Sequence, residues 1–183
     1  MLTFLKERSY DIVKLIINQV AISIFGTAMA LATAMIKTNQ LAIMVGTSVF
    51  SVLFFLFIVY ITMWELGAKD SHKIEKNLPG HSRLTGLYIG LFASIPNYLV
   101  AILITLGLVT SVPAFDTIHS IVNVVSSFLI KGMYTGLLAI PINETLQLNS
   151  LWFMYFLIPL PMIFTSFIAY FAGSKNFKIF GKR

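Results

Sequence analysis

The sequence predicts an all-α integral membrane protein, and three observations carry that prediction. Of the 183 residues, 57% are hydrophobic and only 11% charged, with a mean hydropathy of +0.86; soluble domains carry about a quarter charged residues. Several runs reach the ~20 apolar residues that cross a hydrocarbon core ~30 Å thick. The basic residues, which leave a formal net charge of +6, gather at the N-terminus, in one central segment and in the C-terminal tail. That distribution is the one expected of cytoplasmic segments beside anionic lipid. A nucleic-acid partner would call for a basic face interleaved with aromatics on a soluble domain, and the charge pattern offers none. The absence of cysteine excludes disulfides, thiolate metal sites and cysteine nucleophiles.

The first span is expected over residues 15–36, "LIINQVAISIFGTAMALATAMI", behind a mixed-charge leader with Lys6, Arg8 and Lys14 set against Glu7 and Asp11. The small-residue run "ALATA" resembles a signal-peptide cleavage site. The apolar run is nevertheless too long and its leader carries acids, so a retained helix is expected. "KTNQ" makes a polar turn into the second span, residues 41–64, which holds no charge and closes on the aromatics Tyr60 and Trp64. The two form a helical hairpin.

Residues 65–83, "ELGAKDSHKIEKNLPGHSR", read as a hydrophilic loop that Pro79-Gly80 turns, and Lys69, Lys73, Lys76 and Arg83 place it in the cytoplasm. The third span, 84–108, is interrupted at "SIPNY", where Pro96 removes a backbone donor and kinks the helix while Asn97 is placed to bond a neighbouring helix. The last span, 151–173, opens on Trp152 and Tyr155 and is broken by "PLP" at Pro159–Pro161. The tail 174–183 carries Lys175, Lys178, Lys182 and Arg183.

Between the third and last spans lies an amphipathic element, residues 114–141, bracketed by Pro113 and Pro141. At 100° per residue, Asp116, His119, Ser120, Asn123, Ser126, Ser127 and Lys131 fall on one half of the wheel. Ile118, Ile121, Val122, Val125, Phe128 and Leu129 fall on the other. Either the element spans with its polar face inside the bundle, or it stays on one side with Lys131 snorkelling outward. Charge placement decides. A fifth crossing would export the basic tail and leave "NETLQLNS", which has no positive charge, in the cytoplasm. The expectation is therefore four transmembrane helices with both termini cytoplasmic and an extracytoplasmic amphipathic helix whose "GMYTGLLAIP" end re-enters, the alternative being five spans.

Small residues recur at four-residue spacing: Gly26, Ala30 and Ala34; Gly86, Gly90 and Ser94; Gly132 and Gly136; Ala169 and Gly173. Such faces let helix backbones approach closely, within the chain or between copies. Lys131, Asn123, His119 and Asp116, with Asn97 at the kink, are the candidate polar site: a solvated helix face, a solute or ion pathway, or a partner contact. Asp70, His72, Glu75 and His81 match no metal-ligand spacing and are expected on a solvated loop, and Asn143-Glu144-Thr145 is an isolated sequon. No nucleophile, phosphate-loop or paired-carboxylate constellation is present, so neither an enzyme nor a cofactor nor a metal is expected.

The stretches "WELGAKD", leaving the second span, and "TGLYIGLFASIP", opening the third, resemble those of small uncharacterised multi-pass membrane proteins of Gram-positive bacteria, which implies a bacterial plasma membrane. Ala28 with Ala32 is similar to the small-residue face of the substrate-binding subunits of modular vitamin transporters, although those have six spans and this chain has room for fewer. The functional expectation is a non-catalytic membrane subunit that acts through helix–helix contacts in the bilayer, with itself or with another membrane protein. The alternative is a small-solute carrier or substrate-binding subunit whose outer element lines a cavity near Lys131.

Overall fold

The computed structural model describes residues 2–36, 38–76, 82–109, 113–143 and 146–175. All regular structure among them is helical, with three to five helices long and apolar enough to cross a membrane. Three qualify alone: Phe4–Ala34, Gln40–Glu75 and Met154–Ser174. Two more qualify as broken pairs, Thr85–Ala93 with Ile95–Gly107 and Ser120–Leu129 with Gly132–Leu138.

In chain order the helices are α1 (Leu2–Ala34), α2 (Gln40–Glu75), α3 (Thr85–Ala93), α4 (Ile95–Val109), α5 (Pro113–Leu129), α6 (Thr135–Leu138), α7 (Met154–Leu157) and α8 (Leu160–Ser174). Asn39, at φ 54°, makes the turn between α1 and α2, a left-handed conformation that asparagine tolerates better than most side chains. The break between α3 and α4 falls at Ser94, one turn of chain ahead of Asn97, where Pro96 has no amide to donate.

The chain divides into two compact units. The first comprises Met1–Ile16, Leu56–Ser94 and Leu160–Arg183. Its core of Leu15, Val59, Met63, Ile89, Met162 and Tyr170 is almost wholly withdrawn from solvent. Small residues set its helix spacing. A Cβ at Gly67 on α2 would strike the carbonyl oxygen of Tyr170 on α8, and one at Gly173 would strike that of Trp64 on α2. The two helices therefore touch backbone to backbone. On α3, a Cβ at Gly86 would overlap the Tyr170 side chain, and one at Gly90 would press on Ser166 and Ile163. The ring of Phe4 on α1 packs edge-on against Tyr88 of α3, centroids 5.9 Å apart.

α2 does not stop at Trp64 but continues to Glu75, so the first part of the segment expected to be a loop is helix. The reason is visible at Asp70. It is 3% exposed, and its Oδ2 accepts from Arg8 Nη2 on α1 at 2.5 Å and from the Tyr170 hydroxyl on α8 at 3.0 Å. Arg8 is buried too and approaches Asp11, while Lys73 lies 3.9 Å from the other Asp70 oxygen. Asp70 is thus not on a solvated loop. His72 and Glu75 do face outward, with side chains 85% and 66% exposed, so the three do not converge on a metal, and His81 lies outside the described residues.

A buried ion pair that loses one partner leaves an uncompensated charge, at a cost of about 3–5 kcal/mol, whereas replacing both by packed apolar residues is often near neutral. Arg8→Leu and Asp70→Leu are each expected to lower the unfolding midpoint of the purified protein strongly in detergent, and the double variant to recover most of the loss. A double variant as unstable as the sum of the singles would show that the pair is not coupled.

Candidate functional site: a polar recess around Lys131

The second unit comprises Ile17–Phe55 and Ile95–Pro159. Its polar centre is built where α5 ends. The amides of Ile130 and Lys131 both bond the carbonyl of Ser126, so the last turn is widened by an i→i−5 bond, and the chain then bends by 86° into the 3₁₀ turn Gly132–Tyr134 and α6. Such a break exposes backbone groups that a regular helix would satisfy internally, and away from water they require partners. Hydroxyls from the first two helices provide them. Gly132 N–H donates to Ser23 Oγ at 2.9 Å, and Gly136 N–H donates to Ser48 Oγ at 2.7 Å. Thr27 Oγ1 on α1 lies 3.1 Å from the Ser127 carbonyl.

Contacts this close require small residues. A Cβ at Gly132 would collide with the Ser23 carbonyl and Thr27, one at Gly136 with the Met44 carbonyl, and one at Gly26 with the backbone of Met133. The far end is anchored by Tyr134, whose hydroxyl donates to the Ile158 carbonyl at 3.2 Å.

The turn carries Lys131 inward. It is 5% exposed, so it does not snorkel out of the protein. The physical reason is the orientation of α5: Ile121, Val124, Val125, Phe128 and Leu129 are exposed, while Ser126 is buried and Asn123 and Ser127 are half-buried. From Asn123 onward the polar face lies against protein and the apolar face is turned outward, the opposite of a helix with a solvated polar side, while Ser120 one turn earlier is exposed. Lys131 Nζ donates to Asn123 Oδ1 at 2.5 Å and sits 4.9 Å above the centre of the Tyr155 ring, a cation–π contact. Among the described residues no carboxylate answers it.

Lys131 borders a cavity of about 380 Å³, lined also by Asn123, Ser127, Thr135, Asn149, Ser150 and Tyr155, with Leu138 and Ala139 as its apolar part. A second gap of about 10 Å³, no larger than one water needs, lies between Lys131, Tyr155 and Asn97. Asn97 is fixed by a reciprocal amide pair with Gln19 on α1, its Oδ1 accepting at 2.8 Å and its Nδ2 donating at 3.1 Å.

Of the residues singled out in the sequence, Lys131, Asn123 and Asn97 are therefore brought together. Asp116 and His119 lie on α5, but their side chains are outside the described residues. Of the small residues, Gly26, Ala30, Gly132 and Gly136 in this unit and Gly86, Gly90, Ser94, Ala169 and Gly173 in the first are buried, and Ala34 is exposed. Sequence reasoning passed over Gln19, Ser23 and Ser48. Their only signal is that they are polar residues inside apolar runs. It placed Tyr155 at the opening of the last span without assigning it to the lysine.

Comparison with known protein families, curated proteins and solved structures finds no match for this chain.

Gly132→Ala and Gly136→Ala are expected to reduce sharply the fraction of protein that elutes as a sharp species after detergent extraction. Gly46→Ala, where a Cβ meets nothing within 4 Å, is expected to be neutral or to stabilise α2 by about 0.5–1 kcal/mol. Equal behaviour of all three would contradict the close approach described above.

Proposed function

We propose that the chain is a non-catalytic multi-pass protein of a bacterial plasma membrane that binds a small anionic solute at Lys131, as a carrier or as the substrate-binding subunit of a transporter. The observation that carries the reading is a buried ammonium met only by a neutral amide and a ring among the described residues, beside a cavity of about 380 Å³. An ammonium withdrawn from water costs several kcal/mol unless an opposite charge joins it. An anion in the recess supplies that charge.

This reading stands ahead of an accessory subunit acting through helix–helix contacts. The small-residue faces that would serve such contacts are buried within their own units, apart from Ala34. The exposed apolar rows, such as Phe50 stacked on Phe54 with Leu53 and Phe57 nearby in sequence, suit lipid as well as a partner helix.

The topology that goes with it has four spans: α1, α2, α3 with α4, and α7 with α8. The bent element formed by α5 and α6 enters and returns on the outer side, with both termini cytoplasmic. The 86° bend supports this, because neither arm beyond it continues along the first arm's axis. Exposed apolar side chains on α5 are the surface that lipid would cover.

Binding is tested on the purified full chain with gluconate and butyrate, each carrying one negative charge. At least one is expected to raise the unfolding midpoint of the wild type, and neither that of Lys131→Gln, with affinity falling tenfold or more. Equal stabilisation of the variant would refute the site. Topology is tested separately, since the chain has no native cysteine. Cysteine at Asn143 is expected to react with an impermeant reagent in intact cells, and cysteine at the well-exposed His72 is not. A reporter fused after Arg183 is expected to read as cytoplasmic; an outside readout would require five spans.

A further inference from the structure

We infer that the recess selects a singly charged oxyanion that also carries hydroxyl groups, of the kind a small hydroxy acid or sugar acid presents. The inference rests on the anion-binding reading above and specifies its ligand. It comes from counting which hydrogen-bonding valences the lining residues have left.

The donor end is at Lys131. One of its three protons goes to Asn123 Oδ1, which leaves two on the ammonium and turns Asn123 Nδ2 into a free donor beside them. Lys131 is the one cation among the residues that line the recess, so the charge it can balance is a single negative one.

Apart from the exposed amide of Asn149, which donates to Gln147 Oε1 at 3.3 Å, the remaining polar lining is different in kind. A hydroxyl has one proton and two lone pairs, and each hydroxyl here has already committed its proton. Ser127 Oγ donates to the Asn123 carbonyl at 2.7 Å, and Thr135 Oγ1 to the Gly132 carbonyl at 2.8 Å. The Tyr155 hydroxyl donates to the Asn149 carbonyl at 2.7 Å, and Ser150 Oγ to Asn149 Oδ1 at 3.3 Å. What these four oxygens offer the recess is lone pairs. A ligand that is all acceptor would leave them facing acceptors, and an apolar ligand would leave them without partners.

The ligand must therefore bring donors to that side. They are neutral ones, because among the described residues no carboxylate lines the recess to receive an ammonium, and Lys131 would repel it. Neutral donors on a small monoanion are hydroxyls. The volume agrees, since it falls at the lower end of the ~300–1,000 Å³ typical of small-molecule sites.

The same chemistry occurs in a dissolved hydroxy acid and in the headgroup of phosphatidylglycerol, a phosphodiester with one negative charge and free glycerol hydroxyls. The test uses the full chain in nanodiscs of phosphatidylcholine, with binding measured for gluconate, for butyrate (the charge without hydroxyls) and for sorbitol (the hydroxyls without charge). Gluconate is expected to bind at least tenfold more tightly than either. The double variant Ser127→Ala, Thr135→Val is expected to weaken gluconate about tenfold and leave butyrate unchanged.

Butyrate binding as tightly as gluconate, with both lost in Lys131→Gln, would overturn this inference while leaving the anion site intact. Binding of neither anion would remove the anion site as well. A double variant that weakens butyrate and gluconate alike would also overturn the inference, by showing that the hydroxyls act on the fold. Repeating the measurement with phosphatidylglycerol in the nanodiscs assigns the source: competition with gluconate points to the lipid headgroup, and unchanged affinity to a dissolved solute.

Discussion

The second unit depends on one requirement: where the chain leaves the helix after Leu129, its amide groups must be bonded in surroundings that hold little water. Two serines fulfil it. Ser23 takes the amide of Gly132 and Ser48 that of Gly136, from helices distant in sequence. Everything else about the turn follows. The donors can come within 3 Å of the serines only if nothing projects from the chain at those points, which is why both positions are glycine. With the backbone pinned on that side, the residue before Gly132 has one direction left for its side chain, and it is inward. Lys131 is buried because its neighbours' amides are bonded, not because the lysine has found a counter-charge.

The same requirement explains why α5 presents its apolar side outward. Its period was legible in the sequence, and from residue 121 to Lys131 the described polar and apolar side chains fall on opposite sides as the pattern put them. What the pattern could not carry is a sign. An amphipathic helix has identical spacing whether water or protein meets its polar face, and the choice is made by groups far away: Thr27 at the Ser127 carbonyl, and Tyr155 beneath Lys131. Charge placement along the chain does not register such contacts, so the lysine read as a snorkelling group and proved to be a buried one.

Other features divide along the same line. The break near Pro96 and the use of Asn97 were visible because proline acts on its own backbone and an amide in an apolar run needs a partner. The partner itself, Gln19, was not, because nothing local distinguishes it from other polar residues in a span. The hydrophilic segment after Trp64 looked like a loop since its composition is that of one. Helix persists to Glu75 because Asp70 is drawn inward by Arg8 and Tyr170, interactions over 62 and 100 residues. Local chemistry is readable from local sequence, and long-range pairing is not.

The two cations buried among the described residues then make an instructive contrast. Arg8 is closed off: Asp70 faces it directly, the Tyr170 hydroxyl shares the same carboxylate oxygen, and Asp11 stands behind. Such a pair has no charge left to offer and holds helices in place. Among the described residues Lys131 has only an amide oxygen and a ring face, each of which stabilises an ammonium by a fraction of what a carboxylate does. A resident acid would make the second unit more stable and would also cancel the charge permanently. Neutral support keeps the ammonium in position and leaves most of its field unspent. That compromise weakens a purely structural lysine, yet it suits one whose counter-ion arrives and departs. The recess beside it is where such a counter-ion has room to sit.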